Sequence, residues 1–588
     1  MVRIHARRLV TLSGTAALGL VATFYIYGML SYGHTEVDID AAEIERRLSV
    51  VRGQMPLGGA HERRLATDMA MVSDMRSTLH QWLWPDTKDI VDACAKVDFE
   101  SPAITLPQAS VIVSFADHEN VSTLLHTVHS IVQRTPPRLL KEIILIDDNT
   151  RKVEMKELLQ NYVNAVFTGT SVRIHRATEQ LGLIRARLTG IRMAKAKVVV
   201  SMDSHMEVQE RWLEPLLHEI AINRKTLAAS CLDWMEKKDG IWEYRHGGSM
   251  WRTYFDWAFV FGFQSMSDVA IDRRKQKTEP VSSPVTIGTI FAIDKEFFED
   301  IGAFDEGMQL WGGENIDLPI RVWLFGGRVL NVPCSRAAHL EYPNNRLYRD
   351  GWEPTIHRNY KRFAEVWLDE YKENFYDNFP ELRAEKVGDL SSRLALKKRA
   401  THNFAWFLKH VYPELGLPRN DSFAWGKVHN VADKQLCLET EYWAAARLEP
   451  CDVTAKYRGL YWSVAGNLRM PIHVISVQDP EDNSPETGFE AVEYTSYYNT
   501  TYSQEFVHWR GGPIINLKTN KCLDVKSHHK VVFRTCDPSR KSQRWSFRNY
   551  TDAYRDMLAN RGGTFQKMHL QVKRFQAKFP VRKRRVKT

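Results

Sequence analysis

Apolar runs alternating with amphipathic stretches, from Ala109 onward, constrain this chain more than any other feature. Ser110-Val111-Ile112-Val113-Ser114-Phe115 has the near-continuous apolar character of a strand covered on both faces of a sheet. Leu124, Leu125, Val128 and Ile131 follow at helical spacing, and the helix is expected to stop near Thr135-Pro136-Pro137. Glu142-Ile143-Ile144-Leu145-Ile146-Asp147-Asp148 reads as a second strand, ending in two carboxylates. Strand, helix, strand predicts an α/β domain with a parallel sheet, which takes its ligands at the carboxyl ends of the strands. Asp148 lies where a nucleotide's base or ribose is held in such folds, or it caps the next helix. The segment alone leaves both readings open.

A third strand, Val198-Val199-Val200-Ser201-Met202, runs into Asp203-Ser204-His205. Alternate side chains of a strand share a face, so Asp203 and His205 project together and Ser204 points away. One carboxylate and one imidazole suit Mn²⁺ or Zn²⁺, and Mn²⁺ fits best where phosphates complete the shell. Gly182-Leu183-Ile184-Arg185-Ala186-Arg187 opens the helix before this strand, which places the Asp-x-His pair in the same crevice as Asp148. Downstream, the two glycines of Trp311-Gly312-Gly313-Glu314-Asn315 permit an unusual loop and close approach of a ligand. Glu314 and Asn315 are candidates to grip a substrate, although Asn315 also suits the N-cap of a helix predicted over Ile316–Phe325 and stopped by Gly326-Gly327. A short strand over Arg328–Pro333 leads to Cys334 and to His339, a candidate third metal ligand.

At 588 residues the chain is too long for one core, and two or three domains are expected. Arg3, Arg7 and Arg8 precede Leu9–Leu30, which holds no charged residue and as a helix spans roughly 30 Å, the thickness of a bilayer core. Basic residues on the amino-terminal side predict a single-pass type II anchor with the remainder in the lumen. Seven cysteines there imply disulfides and one odd thiol. Cys437 with Cys451 and Cys522 with Cys536 share one spacing, Cys94 and Cys334 are plausible long-range partners, and Cys231 reads as a buried thiol. Glycosylation sequons occur at Asn120, Asn420, Asn499 and Asn549. The net charge of +9 is concentrated at the ends; the run Arg582-Lys583-Arg584-Arg585 reads as a solvated tail, and no nucleic-acid motif accompanies it.

Asp203-Ser204-His205, the Trp311–Asn315 run, Gly182–Arg187 and Pro333-Cys334-Ser335-Arg336-Ala337-Ala338-His339, in this order along the chain, resemble the polypeptide N-acetylgalactosaminyltransferases. Ala364-Glu365-Val366-Trp367-Leu368-Asp369 and His410-Val411-Tyr412-Pro413 are similar too, and the resemblance covers roughly residues 85–548. It implies a GT-A (Rossmann-like) α/β catalytic domain followed by an all-β ricin-type β-trefoil lectin domain. The implied order is a cytosolic tail (1–8), anchor (9–31), stem (32–95), catalytic domain (96–420), lectin domain (421–548) and basic tail (549–588). The implied reaction moves GalNAc from UDP-GalNAc to Ser/Thr hydroxyls with retention, by a front-face route needing no nucleophilic triad, in the Golgi. By position, Asp203, His205 and His339 would hold Mn²⁺ with the diphosphate. Asp148 and Ser204 would contact the nucleotide, Trp311 would lie over the donor, and Glu314 and Asn315 would act at the sugar or acceptor. Arg185, Gln180, Tyr342 and Tyr348 fall at substrate-binding positions.

The chain departs from the family pattern in places. Phe115-Ala116-Asp117-His118-Glu119 replaces a Phe-His-Asn-Glu run, and Tyr342 stands where an arginine reaches the diphosphate, with Arg346 further along. In the lectin region Glu439 replaces a repeat's sugar-binding aspartate, and a middle repeat near 465–510 lacks cysteines. Cys522-Leu523-Asp524 with Gln543-Arg544-Trp545 forms the better repeat, making Asp524 the candidate sugar contact and Trp545 a core residue. A lectin-like pseudoenzyme and a transferase of another UDP-sugar are the alternatives.

Overall fold

The computed structural model describes residues 80–82, 85–100, 103–238, 241–245, 247, 251–265, 274–340, 353–439, 447–451, 460–469, 474–477, 489–494, 504–526, 530–563 and 565–578. The apolar run Leu9–Leu30, Tyr342, Arg346, Tyr348 and the sequon at Asn499 lie outside them. Among the described residues no helix is long and apolar enough to cross a membrane. The chain divides into two compact units. The first comprises the chain up to Met250, Lys275–Asn359 and Ser391–Ala400; the second comprises Trp251–Arg274, Tyr360–Leu390 and the chain from Thr401.

The first unit is built on one mixed sheet. Its strands include β1 (Ala109–Phe115), β2 (Leu140–Asp147), β3 (Val172–Arg176), β4 (Val198–Asp203), β5 (Met206–Val208), β6 (Thr226–Lys238), β7 (Ile290–Asp294) and β8 (Arg328–Leu340). The helices that concern the site are α1 (Val121–Arg134), α2 (Glu157–Val166), α3 (Leu183–Met193), α4 (Glu214–Ile222) and α5 (Glu314–Leu324). The path runs β6-β7-β4-β1-β2-β3. β1 pairs in parallel with both β2 and β4, with Ser114 opposite Asp203. Chain order 3-2-1-4 reverses direction at β1, the place where open α/β sheets hold ligands. Every residue of β1 is buried, as its apolar character requires. α1 starts at Val121 and ends at Arg134, with Thr135 as C-cap, where the diproline forbids continuation.

β8 departs from the sequence expectation in an informative way. The segment is extended well beyond Pro333, to Leu340. Proline cannot donate to a ladder, but the pairing with β6 shifts register between Val332 and Arg336, and this irregularity takes up Pro333. His339 therefore sits on a strand, not in a loop after one. The last residues of the expected stem pair and pack with the first unit. His80–Trp82 pairs in parallel with Ile241–Arg245, and the helix Pro85–Cys94 is tied to β8 by the Cys94–Cys334 disulfide. Cys231 is buried and stands outside the disulfides.

The second unit is dominated by a twelve-stranded antiparallel sheet system whose elements include β9 (Ser422–Asn430), β10 (Leu436–Glu439), β11 (Arg447–Pro450), β12 (Leu460–Ser463), β13 (Phe506–His508), β14 (Ile514–Asn516), β15 (Lys521–Val525), β16 (Val531–Thr535) and β17 (Trp545–Tyr550). The Cys437–Cys451 and Cys522–Cys536 disulfides are present. Trp462 and Trp545 fill the core, and Trp545 donates its indole N–H to the Leu523 carbonyl at 3.0 Å. The segment expected as a basic tail is largely folded. α6 (Asp552–Ala559) and α7 (Gln566–Gln576) insert Tyr554, Met557, Met568, Val572 and Phe575 into the same core. Met568, Val572 and Phe575 recur at i, i+4 and i+7, one face of a helix.

His508 is a buried histidine of this core. Its two ring nitrogens lie 3.2 Å from the Pro513 carbonyl and 2.9 Å from the Tyr550 hydroxyl, so Nδ1–H donates to the carbonyl and Nε2 accepts. Burial disfavours the imidazolium and pushes His508 down to about 4. A group depressed on folding contributes stability that is full above its unfolded value and is lost as pH falls toward the folded one. Lowering pH from 7 to 5 is therefore expected to cost the unit about 2 kcal/mol through His508 alone. Urea unfolding at the two pH values checks this, and His508→Gln should flatten the dependence.

Candidate active site

β4 delivers Asp203 to the carboxyl edge of the sheet. The chain bends at Ser204-His205 and re-enters the sheet as β5, which pairs antiparallel with β8 so that Met206 lies opposite His339. This pairing brings His205 beside His339, and the Leu340 N–H donates to the His205 carbonyl at 3.1 Å. His205 Nε2 and His339 Nε2 are 3.0 Å apart, and His339 Nε2 lies 3.9 Å from Asp203 Oδ2. One ligand atom from each of the three residues falls within 4.8 Å of the others. One carboxylate oxygen and two imidazole nitrogens, converging from one side and only partly buried, fit a divalent ion that keeps coordination positions for phosphate oxygens.

The second layer of the site contains a residue that the motif reading passed over. Glu119 is fully buried; it accepts from His205 Nδ1 at 2.9 Å, from the Ser204 hydroxyl, and from the Asn120 N–H at 3.0 Å. Burial alone would raise its carboxyl, but the hydrogen bonds and charge of His205 and the Ser204 bond outweigh it and lower it to about 2. Held on Nδ1, the His205 ring turns Nε2 toward His339 and Asp203, the carboxylate–histidine arrangement that orients metal ligands. Glu119 in turn holds His205 in its charged form more strongly, whereas burial and the neighbouring His205 push His339 down to about 4. His339 is thus a neutral donor at physiological pH. Ser204 faces inward, as strand alternation requires, and is buried against Glu119. That corrects its expected contact with the nucleotide: the hydroxyl supports His205. Thr127 braces the bend, donating to the Ser204 carbonyl and accepting from the Met206 N–H, both at 2.9 Å.

On the other side of Asp203, the buried Arg187 donates to Oδ1 at 2.6 Å and lies 3.7 Å from Glu314 Oε1. One guanidinium from α3 thereby joins the metal-ligand strand to the Gly312-Gly313-Glu314 corner. Glu314 accepts from the Gly312 N–H at 2.9 Å. Burial raises its carboxyl and Arg187 opposes the rise. Asn315 is not the N-cap; α5 begins at Glu314 with Gly313 in that role at φ 94°, a conformation suited to glycine. The Asn315 amide is buried, and neither its oxygen nor its nitrogen has a hydrogen-bond partner among the described residues. An orphaned buried amide next to this cluster is suited to a ligand's polar groups. The Trp311 loop is held by a second unforeseen residue, Asn359. Its Nδ2 donates to the Gln309, Trp311 and Gly312 carbonyls at 2.8, 3.2 and 3.0 Å, and its Oδ1 accepts from the Gln309 N–H at 3.0 Å.

Asp148 neither caps the next helix nor turns both oxygens to the crevice. Its carboxylate accepts the Leu181 and Gly182 N–H groups and so clamps the loop that opens α3; Asp147 makes the local turn, accepting from the Thr150 N–H at 2.8 Å. Gly182 (φ 76°) packs on Leu310, where an added Cβ would stand 2.4 Å from the Leu310 Cα. The Asp148-clamped loop and the Trp311 loop are therefore back to back. Arg185 donates to the Glu306 carbonyl at 2.9 Å, Gln180 is exposed, and Trp311 is partly exposed. Asp524, the expected sugar contact, is fully buried. Its Oδ1 accepts from the Val525 N–H at 2.8 Å, and its Oδ2 from Gln543 Nε2 at 3.1 Å and from Arg540 at 3.3 Å. This corrects its role, since a carboxylate already satisfied inside the repeat is not open to a sugar hydroxyl.

Three family models match the chain: glycosyl transferase family 2 over residues 110–302, the N-terminal domain of galactosyltransferase over 274–343, and the ricin-type beta-trefoil lectin domain over 424–545. With the reversed sheet and its Asp-His-His edge, they define a glycosyltransferase with a GT-A catalytic fold and a ricin-type lectin domain. The chain is 33% identical over 468 residues to Polypeptide N-acetylgalactosaminyltransferase 10 of Homo sapiens, covering 75% of this chain and 74% of that one. It is 31% identical over 488 residues to Probable N-acetylgalactosaminyltransferase 9 of Caenorhabditis elegans, covering 79% of each. Among solved structures, GalNAc-T7 with UDP, GalNAc and Mn²⁺ matches with a TM-score of 0.55 and 27% identity, over 80% of this chain and 92% of that one. The chain belongs to the polypeptide N-acetylgalactosaminyltransferase family.

Two outcomes follow from this geometry. Glu119→Gln keeps the shape but weakens the hold on His205 Nδ1, and is expected to raise the Mn²⁺ concentration for half-maximal binding roughly 10- to 100-fold, read by metal titration. Gly182→Ala forces the two loops apart and should weaken UDP binding while leaving metal binding intact, measured by calorimetry with each ligand.

Proposed function

We propose that this protein transfers GalNAc from UDP-GalNAc to serine and threonine hydroxyls of polypeptides, with retention of configuration, in the Golgi lumen, held by a type II anchor at Leu9–Leu30. The observation that carries the reading is the convergence of Asp203, His205 and His339 at the carboxyl edge of a GT-A sheet. The resemblance in sequence and the GalNAc-T7 complex support Mn²⁺ as the ion. When bound, a divalent ion supplies Lewis-acid neutralisation of the departing diphosphate.

The chain's own residues do the positioning. Arg187 holds Asp203 and Glu314 in register, so that the ligand strand and the Gly312-Gly313-Glu314 corner keep a fixed spacing. Asp148 clamps the Gly182 loop and Asn359 clamps the Trp311 loop, giving the crevice two braced walls. Asn315 offers a buried amide to donor or acceptor hydroxyls. In the retaining front-face route the departing phosphate helps deprotonate the acceptor hydroxyl, so no side chain is assigned as general base. Gln180, Arg185, Tyr342 and Tyr348 belong to this reading as substrate contacts.

Transfer of radiolabelled GalNAc to a panel of Ser/Thr peptides, with and without prior glycosylation, tests the proposal in Mn²⁺ buffer. His339→Ala should reduce transfer to background and abolish Mn²⁺-dependent UDP binding. Mn²⁺-dependent UDP binding by the natural chain without transfer to any peptide would instead mark a glycopeptide-binding pseudoenzyme.

A further inference from the structure

Charge is unevenly distributed along this chain. Net charge over the 588 residues is +9, yet the 85 residues from Gln504 to the end hold 21 Lys and Arg against 5 Asp and Glu. The preceding part is therefore acidic overall. After Asp556 the chain contains no acidic residue at all. A surface tuned only for solubility intersperses the two signs; a concentration of one sign creates a potential that recruits the other.

The structure shows where these charges stand. α7 turns Met568, Val572 and Phe575 inward, leaving Lys573, Arg574 and Lys578 exposed. In the preceding repeat, Lys518, Lys526, Lys530 and Lys541 are exposed. The carboxylate that would meet a neutral sugar, Asp524, is closed off: Arg540 bonds it at 3.3 Å and Arg534 lies 3.9 Å away. Both guanidiniums keep a substantial solvent-facing part, with side-chain exposures of 50% and 31%. The repeat thus buries Asp524, leaves Asp537 partly exposed 3.4 Å from Arg540, and otherwise presents mainly cations.

We propose that the third lectin repeat, together with α7, binds a sulfated glycan chain, recognised by charge in place of the neutral sugar hydroxyls that an open carboxylate would take. Three disulfides place the chain in an oxidising compartment, away from nucleic acid and from the anionic cytoplasmic leaflet. The extended polyanions of that environment are acidic glycans. Guanidinium groups present planar paired donors to the oxygens of such anions, and lysines add point charge. The inference does not depend on the transfer reaction.

The test is binding of the full chain to a heparin oligosaccharide of defined length across a NaCl series. Affinity should fall steeply with salt. The variant K573Q/R574Q/K578Q should bind at least about tenfold more weakly, and Arg534→Gln about threefold, with circular dichroism unchanged. K141Q/K225Q/K275Q, which removes the same charge from exposed sites of the other unit, should bind like the natural chain. The proposal is overturned by absence of salt-dependent binding, by equal loss in that control, or by equal affinity for poly-glutamate or anionic vesicles.

Discussion

Everything at the candidate active site depends on the buried guanidinium of Arg187. A charge taken out of water is costly unless paired, and Arg187 is paired with a carboxylate from each side: Asp203 at the end of β4 and Glu314 at the start of α5. The two acids lie 111 residues apart in the chain and would repel one another if left alone. One cation held between them turns that repulsion into a fixed separation. Removing it would leave the buried Glu314 and the partly buried Asp203 uncompensated, so the spacing of the Asp203 strand end and the Gly312-Gly313-Glu314 corner is set by one residue that serves both.

A second tier of polar residues works in the same way on backbone instead of charge. Asp148 gathers the N–H groups of one loop, Asn359 the carbonyls of another, and Thr127 both sides of the bend at Ser204. Each satisfies groups that would otherwise be buried and unpaired. The crevice is therefore lined by irregular backbone made rigid from behind. This leaves Asp203, His205 and His339 clustered at the edge of the sheet and the Asn315 amide without a hydrogen-bond partner among the described residues.

Much of this was legible in the sequence, for identifiable reasons. β1, β2 and β4 announce themselves because parallel strands are apolar on both faces, and the cluster of Asp203, His205 and His339 because an Asp-x-His pair at a strand end places both side chains on one face. Glu119 gives no signal in the sequence because its partner His205 is 86 residues away. Asn359 carries no local signal at all; its meaning is wholly tertiary. The full length of β8 is not legible in the sequence because proline breaks a strand only where no bulge relieves it. α6 and α7 were hidden by their lysines and arginines, since three apolar residues at helical spacing are easily outvoted by composition. Asp524 shows the opposite case: its place in a repeat signature suggests an open carboxylate, and the repeat's own Gln543 and Arg540 bury it.

The disulfide between Cys94 and Cys334 joins the entrance of the catalytic unit to the strand that carries His339, across 240 residues. A ribosome making about 5–20 residues per second needs on the order of ten seconds or more to travel that distance. From His205 onward, 134 residues of synthesis pass before His339 joins Asp203 and His205. The Asp203-His205-His339 edge is consequently a late product of biosynthesis, completed only when β8 has arrived and its cysteine has met one made long before. A nascent chain interrupted before β8 would carry the parallel core of the sheet and still lack the third member of the cluster, so the sheet precedes its own edge.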